Sequence, residues 1–289
     1  MSIMKVLLIP NMSRDSAISC ARKVLSRLNQ LGSVNYILEE HAAAFSDTSA
    51  VPLSFEEAAP LSDVVIAIGG DGTILHAAKS AVSFHKPVLG INAGRVGFLA
   101  QLEDKEEDLE LLTNLTWGRY SLENRMMIEA IHHTKKGDKR YYAINDVVLS
   151  RGELARIIDI EVTCHSQVVY DYRADGVILA TPTGSTAYSM SAGGPVVDHT
   201  LDMLILTPIA PHSLFSRSIL FSPDKELEIR TRQINNSAKF YMIVDGEEAI
   251  RIDDGEYISV RKAEQSVQFV ILKKKEFYEI LNRKMIGRG

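Results

Sequence analysis

The fold of the first part of this chain is decided by the stretch Val64-Val65-Ile66-Ala67-Ile68-Gly69-Gly70-Asp71-Gly72-Thr73-Ile74-Leu75-His76-Ala77-Ala78-Lys79. The continuous apolar run 64–68 predicts a strand that is buried on both faces. Three glycines predict a tight turn after it, and residues 74–79 indicate the first turns of a helix. Strand, glycine turn and helix in this order are typical of an α/β domain with a parallel sheet.

Asp71 is the residue of this turn whose presence needs an explanation. Glycines let a ligand approach the backbone closely, and the free N–H groups of a helix N-terminus attract anions. A simple phosphate cradle has no use for a negative charge. Asp71 therefore indicates either phosphate bound through a metal ion or a base directed at a hydroxyl group. The alternative is that Asp71 only caps the helix, a common role of aspartate. Residues 69–73 alone favour neither interpretation.

The composition limits the classes of protein to be considered. The 289 residues are enough for two hydrophobic cores, and a net charge of −5 without a basic face argues against nucleic-acid and membrane-surface proteins. No apolar stretch approaches the roughly 20 residues of a membrane span. The N-terminal run 4–10 is too short for a signal peptide and predicts a first strand. Cys20 and Cys164 are expected to be buried free thiols. The acidic run 103–110 is expected to be a solvated helix face, and the protein is expected to be cytoplasmic.

Hydrophobic periodicity divides the chain into two parts. Residues 1–118 alternate short apolar runs with helical spacing, which predicts a Rossmann-like α/β domain. In residues 119–270 the strand period of two dominates, which predicts an all-β domain, a β-sandwich. Helical spacing returns at residues 277–286. We therefore expect residues 271–289 to pack back on the first domain.

Four further stretches carry glycines or polar groups suited to a ligand. Residues 92–99 follow an apolar run and contain two glycines, and Asn145-Asp146 can bracket two adjacent hydroxyl groups. Taken singly, the first is better explained as an ordinary β–α turn and the second as the solvated end of a strand. The strongest stretch is 173–195, because its six Ser and Thr side chains from Thr181 onward are more than helix caps explain. The fourth stretch, 245–247 (Asp-Gly-Glu), is typical of a hairpin turn.

Together these motifs resemble the NAD kinase family, in particular the bacterial ATP-NAD kinases. The Gly-Gly-Asp-Gly-Thr turn at 69–73, the Asn-x-Gly-x-x-Gly-Phe-Leu segment at 92–99 and the segment 181–197 occur in the family's order and spacing. The glycine turn is shared with diacylglycerol and sphingosine kinases and related to that of phosphofructokinases, so it implies only phosphoryl transfer. The run Thr-Pro-Thr-Gly-Ser-Thr-Ala-Tyr-Ser at 181–189 narrows the resemblance to NAD kinases. The resemblance covers nearly the whole chain.

The resemblance implies a role for each matching residue. Asp71 would be the catalytic base that takes the proton from the adenosine 2′-hydroxyl of NAD. Asn145 and Asp146 would hold the ribose hydroxyls, at a pair that is usually Asn-Glu. His76 stands where relatives often have arginine, and Glu247 where some have glutamine. The implied NAD-binding residues are Asp71, Gly72, His76, Asn145, Asp146, Arg156, Arg173, Asp175, Thr186, Ala187, Tyr188, Ser189, Met190, Ser191, Ala210 and Glu247. Those expected to line the site partly from a neighbouring subunit are Arg156, Arg173 and Asp175. The implied phosphate-binding residues are Gly69, Gly70, Gly72 and Thr73.

Cofactor, donor and assembly follow from the same resemblance. Mg²⁺ or another divalent cation is expected, because the chain has no Walker-type Gly-Lys-Ser/Thr loop to neutralise the transferred phosphoryl group. ATP is the expected donor, with polyphosphate as the alternative, and a homodimer or homotetramer is implied. A lipid kinase would instead need an exposed apolar patch or a basic membrane-facing surface, neither of which the sequence indicates. A non-catalytic NAD(P) sensor would most simply have lost Asp71, which is present.

Overall fold

The chain folds into two compact units, which we call the α/β unit (residues 1–124 and 267–289) and the β unit (residues 125–266). The computed structural model describes residues 3–94, 97–152, 157–213, 216–232, 240–273 and 277–286. Among the helices of these residues, none combines the length and apolarity that a membrane crossing needs.

The α/β unit is built on a parallel sheet with the strand order β3-β2-β1-β4-β5. Its strands are β1 (Lys5–Pro10), β2 (Val34–Leu38), β3 (Val51–Leu53), β4 (Val64–Gly69), β5 (Val88–Asn92) and the short β6 (Leu102–Glu103). Its helices before the β unit are α1 (Asp15–Gln30), the 3₁₀ helix Glu39–Phe45, α2 (Phe55–Leu61), α3 (Asp71–Val82), α4 (Glu106–Glu110) and α5 (Leu112–Thr116). Every residue of β4 and β5 is buried, as their continuous apolar sequences predict for central strands.

The β unit contains most of the remaining strands. These are β7 (Ser121–Thr134), β8 (Gly137–Ala143), β9 (Asp146–Arg151), β10 (Ile158–Cys164), β11 (Gln167–Ala174), β12 (Gly176–Ala180), β13 (Leu204–Ile209), β14 (Ile219–Phe221), β15 (Leu227–Arg232), β16 (Phe240–Val244), β17 (Ile250–Ile252) and β18 (Tyr257–Ile271). A 3₁₀ helix (Thr183–Thr186) and α6 (Tyr188–Ser191) follow β12. The boundaries between the two units fall inside β7 and β18.

Two antiparallel layers form the core of the β unit. One has the order β11-β10-β15-β18 and the other β14-β13-β12-β9-β16-β17. Alternate residues such as Ile160 of β10 and Leu179 of β12 belong to one shared core, which is the arrangement of a β-sandwich. The opposite face of β12, with Ile178, is covered by Val197. The hydroxyl-rich segment 181–197 thus lies over the outer face of a strand that is buried on both sides.

The end of the chain returns to the α/β unit. Phe269, in the last part of β18, pairs in parallel with Val88 of β5, and α7 (Phe277–Ile286) follows. Lys273 Nζ lies 3.1 Å from the Asp108 carboxylate, which also accepts the backbone N–H of Glu103 at 2.8 Å. Asp108 is buried. The prediction that the acidic run is simply solvated is therefore wrong at Asp108, because a lysine from the returning chain neutralises this residue.

Candidate active site

The glycine turn connects β4 to α3 in the α/β unit. Gly69 ends β4, Gly70 is the N-cap of α3 in extended backbone, and Asp71 is the first helical residue. The carbonyl of Gly70 accepts the N–H groups of Thr73 and Ile74 at 3.0 and 3.2 Å. Since the N-cap residue is a glycine, Asp71 is not the helix cap. Its carboxylate serves another purpose.

The Asp71 carboxylate is held by backbone amides from the segment that follows β5. Oδ2 accepts the N–H of Phe98 at 2.9 Å, and Oδ1 accepts the N–H of Leu99 at 3.0 Å. A Cβ at Gly97 would collide with the same carboxylate, so a larger residue here would displace Asp71 from these amides. Lys284 Nζ of α7 lies 3.4 Å from Oδ2. The stretches 69–73 and 92–99, which the sequence indicates as separate motifs, therefore form one structure, in which residues 98 and 99 orient Asp71.

Three parallel strands end around this carboxylate. Asn11, after β1, donates its backbone N–H to Ile68 O at 2.8 Å and its side-chain amide to Thr73 Oγ1 at 3.0 Å. At the end of β5, Asn92 Oδ1 accepts the N–H of Gly94 at 3.0 Å. The carboxyl edge of a parallel sheet is the usual place for a ligand. The sheet thus gives Asp71 a rigid support at the edge where ligands of such sheets usually lie.

The turn itself is open to a ligand. A Cβ built on Gly70 or Gly72 meets no atom within 4 Å, whereas one on Gly69 would lie 2.6 Å from Thr73 Oγ1. Gly70 and Gly72 therefore leave space above the backbone, and Gly69 permits close packing within the turn. His76, one helical turn beyond Gly72, is exposed. This space and the free N–H groups at the start of α3 suit a phosphate group.

In the β unit, Asn145 and Asp146 lie where the chain passes from β8 to β9. The Asp245 carboxylate accepts three successive backbone N–H groups, from Ile144 at 2.9 Å, Asn145 at 2.8 Å and Asp146 at 3.1 Å. From the other side, Thr181 Oγ1 donates to Ile144 O at 2.6 Å. The side-chain amide of Asn145 has no hydrogen-bond partner in the described part of the chain. The backbone here is thus fixed while this amide is left to a ligand.

Asp146 is a buried carboxyl group with another carboxylate nearby. Burial and then the negative charge of Asp245 raise the pKa of Asp146 to about 7, against a hydrogen bond from the backbone of Tyr188 that lowers it. The group is 5 % exposed. Near neutral pH it therefore exists in both protonation states, and it can either accept or donate a hydrogen bond to a sugar hydroxyl.

Several hydroxyl groups of the segment 181–197 are used within the β unit. Ser185 Oγ lies 3.1 Å from Val197 O and 3.0 Å from Val197 N, and Ser189 Oγ lies 3.0 Å from Thr207 Oγ1. Both serines are fully buried. Ser189 is one of the residues assigned to NAD in this segment; of the others, Thr186, Ala187 and Met190 are half-buried, and Tyr188 and Ser191 are exposed. Part of the hydroxyl-rich pattern therefore fixes the backbone that carries the remaining residues.

Three further predicted residues, Arg173, Asp175 and Ala210, lie near the ends of β11 and β13. Arg151 Nε donates to Asp175 Oδ1 at 2.6 Å, and this hydrogen bond holds the pKa of Asp175 below its usual value. Arg173 is exposed. Ala210 has a φ of 43°, a conformation that is costly for a residue with a Cβ and is found preferentially at functional positions. Arg156 lies outside the described residues, and Glu247 is exposed next to the turn that holds Asp245.

Sequence comparisons identify the family of this chain. Profiles of the ATP-NAD kinase N-terminal domain and of the ATP-NAD kinase C-terminal domain match residues 6–120 and 144–272. The chain is 37 % identical over 287 residues to the NAD kinase of Caldanaerobacter subterraneus subsp. tengcongensis, covering 98 % of this chain and 99 % of that protein. It is 34 % identical over 281 residues to the NAD kinase of Natranaerobius thermophilus, with 97 % of each chain covered. The chain belongs to the NAD kinase family. The resemblance drawn from the three motifs is thereby confirmed.

Two solved structures share the fold of this NAD kinase family member. The yeast NADH kinase complexed with NADH has a TM-score of 0.88 at 24 % identity and covers 99 % of this chain and 88 % of its own. An NAD kinase from Archaeoglobus fulgidus in complex with ATP has a TM-score of 0.73 at 23 % identity, with both chains fully covered. At such identities the likeness shows the fold, and it confirms the predicted α/β and all-β classes.

Two residues of this NAD kinase family member escape prediction from sequence. Asp245 has a φ of 51° in an Asp-Gly hairpin turn, which by itself accounts for an aspartate there. Nothing in the sequence connects it with amides about 100 residues earlier. Lys284 lies in the last turn of a helix, where a basic residue is favoured by the helix dipole in any case. In both cases an ordinary local role conceals a long-range contact.

Proposed function

We propose that this chain is an NAD kinase that transfers the γ-phosphoryl group of ATP to the adenosine 2′-hydroxyl of NAD, giving NADP and ADP. The observation that carries the proposal is the Asp71 carboxylate. It is exposed to a ligand at the carboxyl edge of the parallel sheet and held by the amides of Phe98 and Leu99 instead of capping its own helix. Family membership narrows the acceptor to NAD.

Asp71 acts as the general base. A ribose hydroxyl is a poor nucleophile, so the enzyme must place it in line with the γ-phosphorus and accept its proton. The bond between O2′ and the γ-phosphorus forms as the bond to the leaving oxygen of ADP breaks, and the hydroxyl proton passes to Asp71. Backbone N–H groups cannot rotate away, so the carboxylate is aligned before substrate binds.

The open glycine turn binds the phosphates, and the divalent cation comes with them. No group of three or more His, Cys, Asp or Glu side chains that could hold a metal ion occurs in the described ranges. Mg²⁺ in such enzymes is commonly held by one or two carboxylates together with substrate phosphates. Asp71 is the carboxylate of the turn that could contribute, and bound Mg²⁺ would offset the charge of the transferred group. The chain's residues therefore fit an ion carried by ATP.

Residues of the β unit hold NAD. The free amide of Asn145 and the titratable carboxyl of Asp146 suit the two ribose hydroxyls, because together they offer donors and acceptors. Ala210 and the accessible residues Thr186, Ala187, Tyr188, Met190 and Ser191 contact the nicotinamide and adenine ends, with Glu247 near them and Ser189 supporting the segment from within the core. Arg156, Arg173 and Asp175 line the site partly from a second subunit of a homo-oligomer. Multi-angle light scattering of the purified chain tests this self-association.

The acceptor and the base are tested together. Purified chain is incubated with NAD, ATP and Mg²⁺, and NADP is detected with an NADP-specific dehydrogenase. We expect Asp71→Asn to lower kcat by roughly 10²–10⁴, the usual contribution of a general base, with little change in NAD affinity. Asp47→Asn is the matched control, because Asp47 forms an exposed ion pair with Arg22 in the same unit.

The outcomes separate the hypotheses. Undiminished turnover by Asp71→Asn would remove Asp71 from the role of base. Absence of NADP with ATP and with polyphosphate, in a wild-type chain that still binds NAD, would favour a sensor over a kinase. The same assay with NADH in place of NAD defines the acceptor. The yeast NADH kinase is complexed with NADH, which makes NADH the first alternative acceptor to test.

A further inference from the structure

The C-terminal helix brings a lysine to the proposed catalytic base. Lys284 Nζ lies 3.4 Å from Asp71 Oδ2 and 4.1 Å from the centre of the Phe98 ring, whose backbone N–H binds the same carboxylate oxygen. Among the basic residues that the structure describes, Lys284 is the one bonded to Asp71. The chain has no Walker-type lysine to contact the transferred phosphates, so Lys284 is a candidate for this task.

Other contacts of α7 are sufficient to keep the helix in place. The Phe277 ring packs against the Phe98 ring with centroids 6.3 Å apart, and Ile280 is buried. Arg283 Nη1 lies 3.2 Å from Glu103 Oε1. The side chains of Lys284 and Asp71 are 29 % and 35 % accessible. An ion pair this exposed contributes at most about 1 kcal/mol to the free energy of unfolding. Stabilisation of the helix therefore does not account for the position of Lys284.

We propose that Lys284 is a phosphate-binding residue of the transfer reaction, paired with Asp71 before the reaction and with the new 2′-phosphate after it. This rests on the proposed function. O2′ must lie within about 3 Å of Asp71 to deliver its proton, which places the phosphate formed on O2′ within reach of the Lys284 ammonium. Lysine suits this task because its charge is compact and its stem flexible.

During the reaction Asp71 loses its negative charge while a phosphate forms on O2′, and these two changes favour the proposed change of partner by Lys284. As O2′ attacks, its proton neutralises Asp71, and the ammonium loses its carboxylate partner. In the same step the γ-phosphoryl group leaves ADP and becomes a phosphate on O2′. Lys284 therefore transfers its pairing from a group that loses negative charge to one that gains it, with no change in its own protonation. The interaction grows along the reaction, so it favours the transition state and the product over NAD.

Selective binding of the product tests this role. Calorimetry measures NAD and NADP affinities for wild type, Lys284→Met and Lys284→Arg, with kcat determined in parallel. For Lys284→Met we expect NADP binding to weaken about 10- to 100-fold, the usual loss for a charge-assisted hydrogen bond, with NAD binding within about twofold of wild type. We expect kcat to fall by a similar factor and Lys284→Arg to recover most of both.

Arg283→Met is the matched control, since it removes the neighbouring ion pair of the same helix without touching Asp71. It should leave the ratio of NADP to NAD affinity unchanged. Equal NADP affinity in wild type and Lys284→Met, or equal loss for NAD and NADP without recovery by arginine, would overturn the proposal. Calorimetric stoichiometry reports the folded fraction, so partial unfolding does not imitate the expected result. Failure of wild type to form NADP would contradict the proposed function instead.

Discussion

Two aspartates of this chain illustrate how surroundings give the same side chain different chemistry. Asp71 is partly exposed, accepts two backbone N–H groups and has a lysine beside it. Asp146 is buried, and a second carboxylate, that of Asp245, lies close enough to raise its pKa. The first arrangement suits a carboxylate that must be ionised to act as a base. The second suits a group that exchanges a hydrogen bond with a neutral hydroxyl.

The raised pKa of Asp146 predicts a pH dependence of stability. In the folded chain this pKa is about 7, whereas an unfolded aspartate titrates near pH 4. Between these values the folded state holds a proton that the unfolded state has released. The contribution of Asp146 to the free energy of unfolding is therefore fully present below about pH 4 and is lost as the pH rises through 7. Asp146→Asn removes this dependence.

We expect the Tm of wild type, relative to that of Asp146→Asn, to fall between pH 5 and pH 8. Thermal denaturation followed by circular dichroism measures both at each pH. Asp254→Asn, at an exposed turn of the same unit, serves as control and should follow wild type. Parallel curves for wild type and Asp146→Asn would show that Asp146 titrates as it does in an unfolded chain.

The position of Asp71 could be predicted from the sequence, but its role could not. Its place between a buried strand and a helix follows from the apolar run and the glycines. Whether it capped the helix stayed open, because the answer depends on amides from Phe98 and Leu99. Those contacts are set by how β5 lies beside β4 in the sheet. No local pattern contains this information.

Among the elements, strands and helices were predictable where burial gives a clear period. The continuous run of β4 and the alternation in β10 match their burial in the structure. The hydroxyl-rich segment was harder to interpret, since a Ser or Thr facing a ligand and one bonded within the core look alike in sequence. Ser185 and Ser189 belong to the second kind. A polar group in a core must find a partner there, and only the fold shows which.

The hairpin between β16 and β17 is an element with a function beyond its turn. The Asp245 carboxylate supports the backbone of residues 144–146 through three hydrogen bonds. Asp245→Ala removes the two oxygens that accept these three hydrogen bonds, at a cost of about 1–3 kcal/mol for each amide left unpaired. We expect KM for NAD to rise roughly 10- to 100-fold, because the loop that presents Asn145 and Asp146 is no longer fixed.

Steady-state kinetics with varied NAD measure this effect. Asp254→Ala, in the other Asp-Gly turn of the β unit, is the control and should keep the wild-type KM. An unchanged KM in Asp245→Ala would show that the loop keeps its conformation without the carboxylate. A fall in kcat at constant KM would place Asp245 in the chemical step and contradict a supporting role.

For the whole molecule, the α/β unit is discontinuous in sequence. Residues 1–124 and 267–289 form it, and the β unit lies between them along the chain. The unit boundaries fall inside β7 and β18, so no glycine- or proline-rich linker marks them. The two units could therefore be recognised in the sequence only by the change from helical to strand periodicity. The returning chain end therefore contributes both to the core of the α/β unit and to the surroundings of the Asp71 carboxylate.

Two truncations separate these contributions. Val267, Phe269 and Val270 are almost fully buried. Burial of each side chain stabilises the fold by about 1.5–3 kcal/mol, so the loss of all three approaches the free energy of unfolding of a typical domain, about 5–15 kcal/mol. A chain ending at residue 266 should therefore lose cooperative unfolding of the α/β unit. A chain ending at residue 273 keeps these residues and loses α7. It should unfold cooperatively at a lower Tm, with kcat reduced as in Lys284→Met.

The fluorescence of Trp117 measures the unfolding of the α/β unit in both truncated chains, because Trp117 is the single tryptophan of the chain and belongs to this unit. A sharp transition in the chain ending at 266 would show that the parallel sheet is stable without its returning strand. Wild-type kcat in the chain ending at 273 would separate α7 from the reaction altogether. We therefore expect the returning segment to divide at residue 273, with the strand before it needed for folding and the helix after it needed for full turnover.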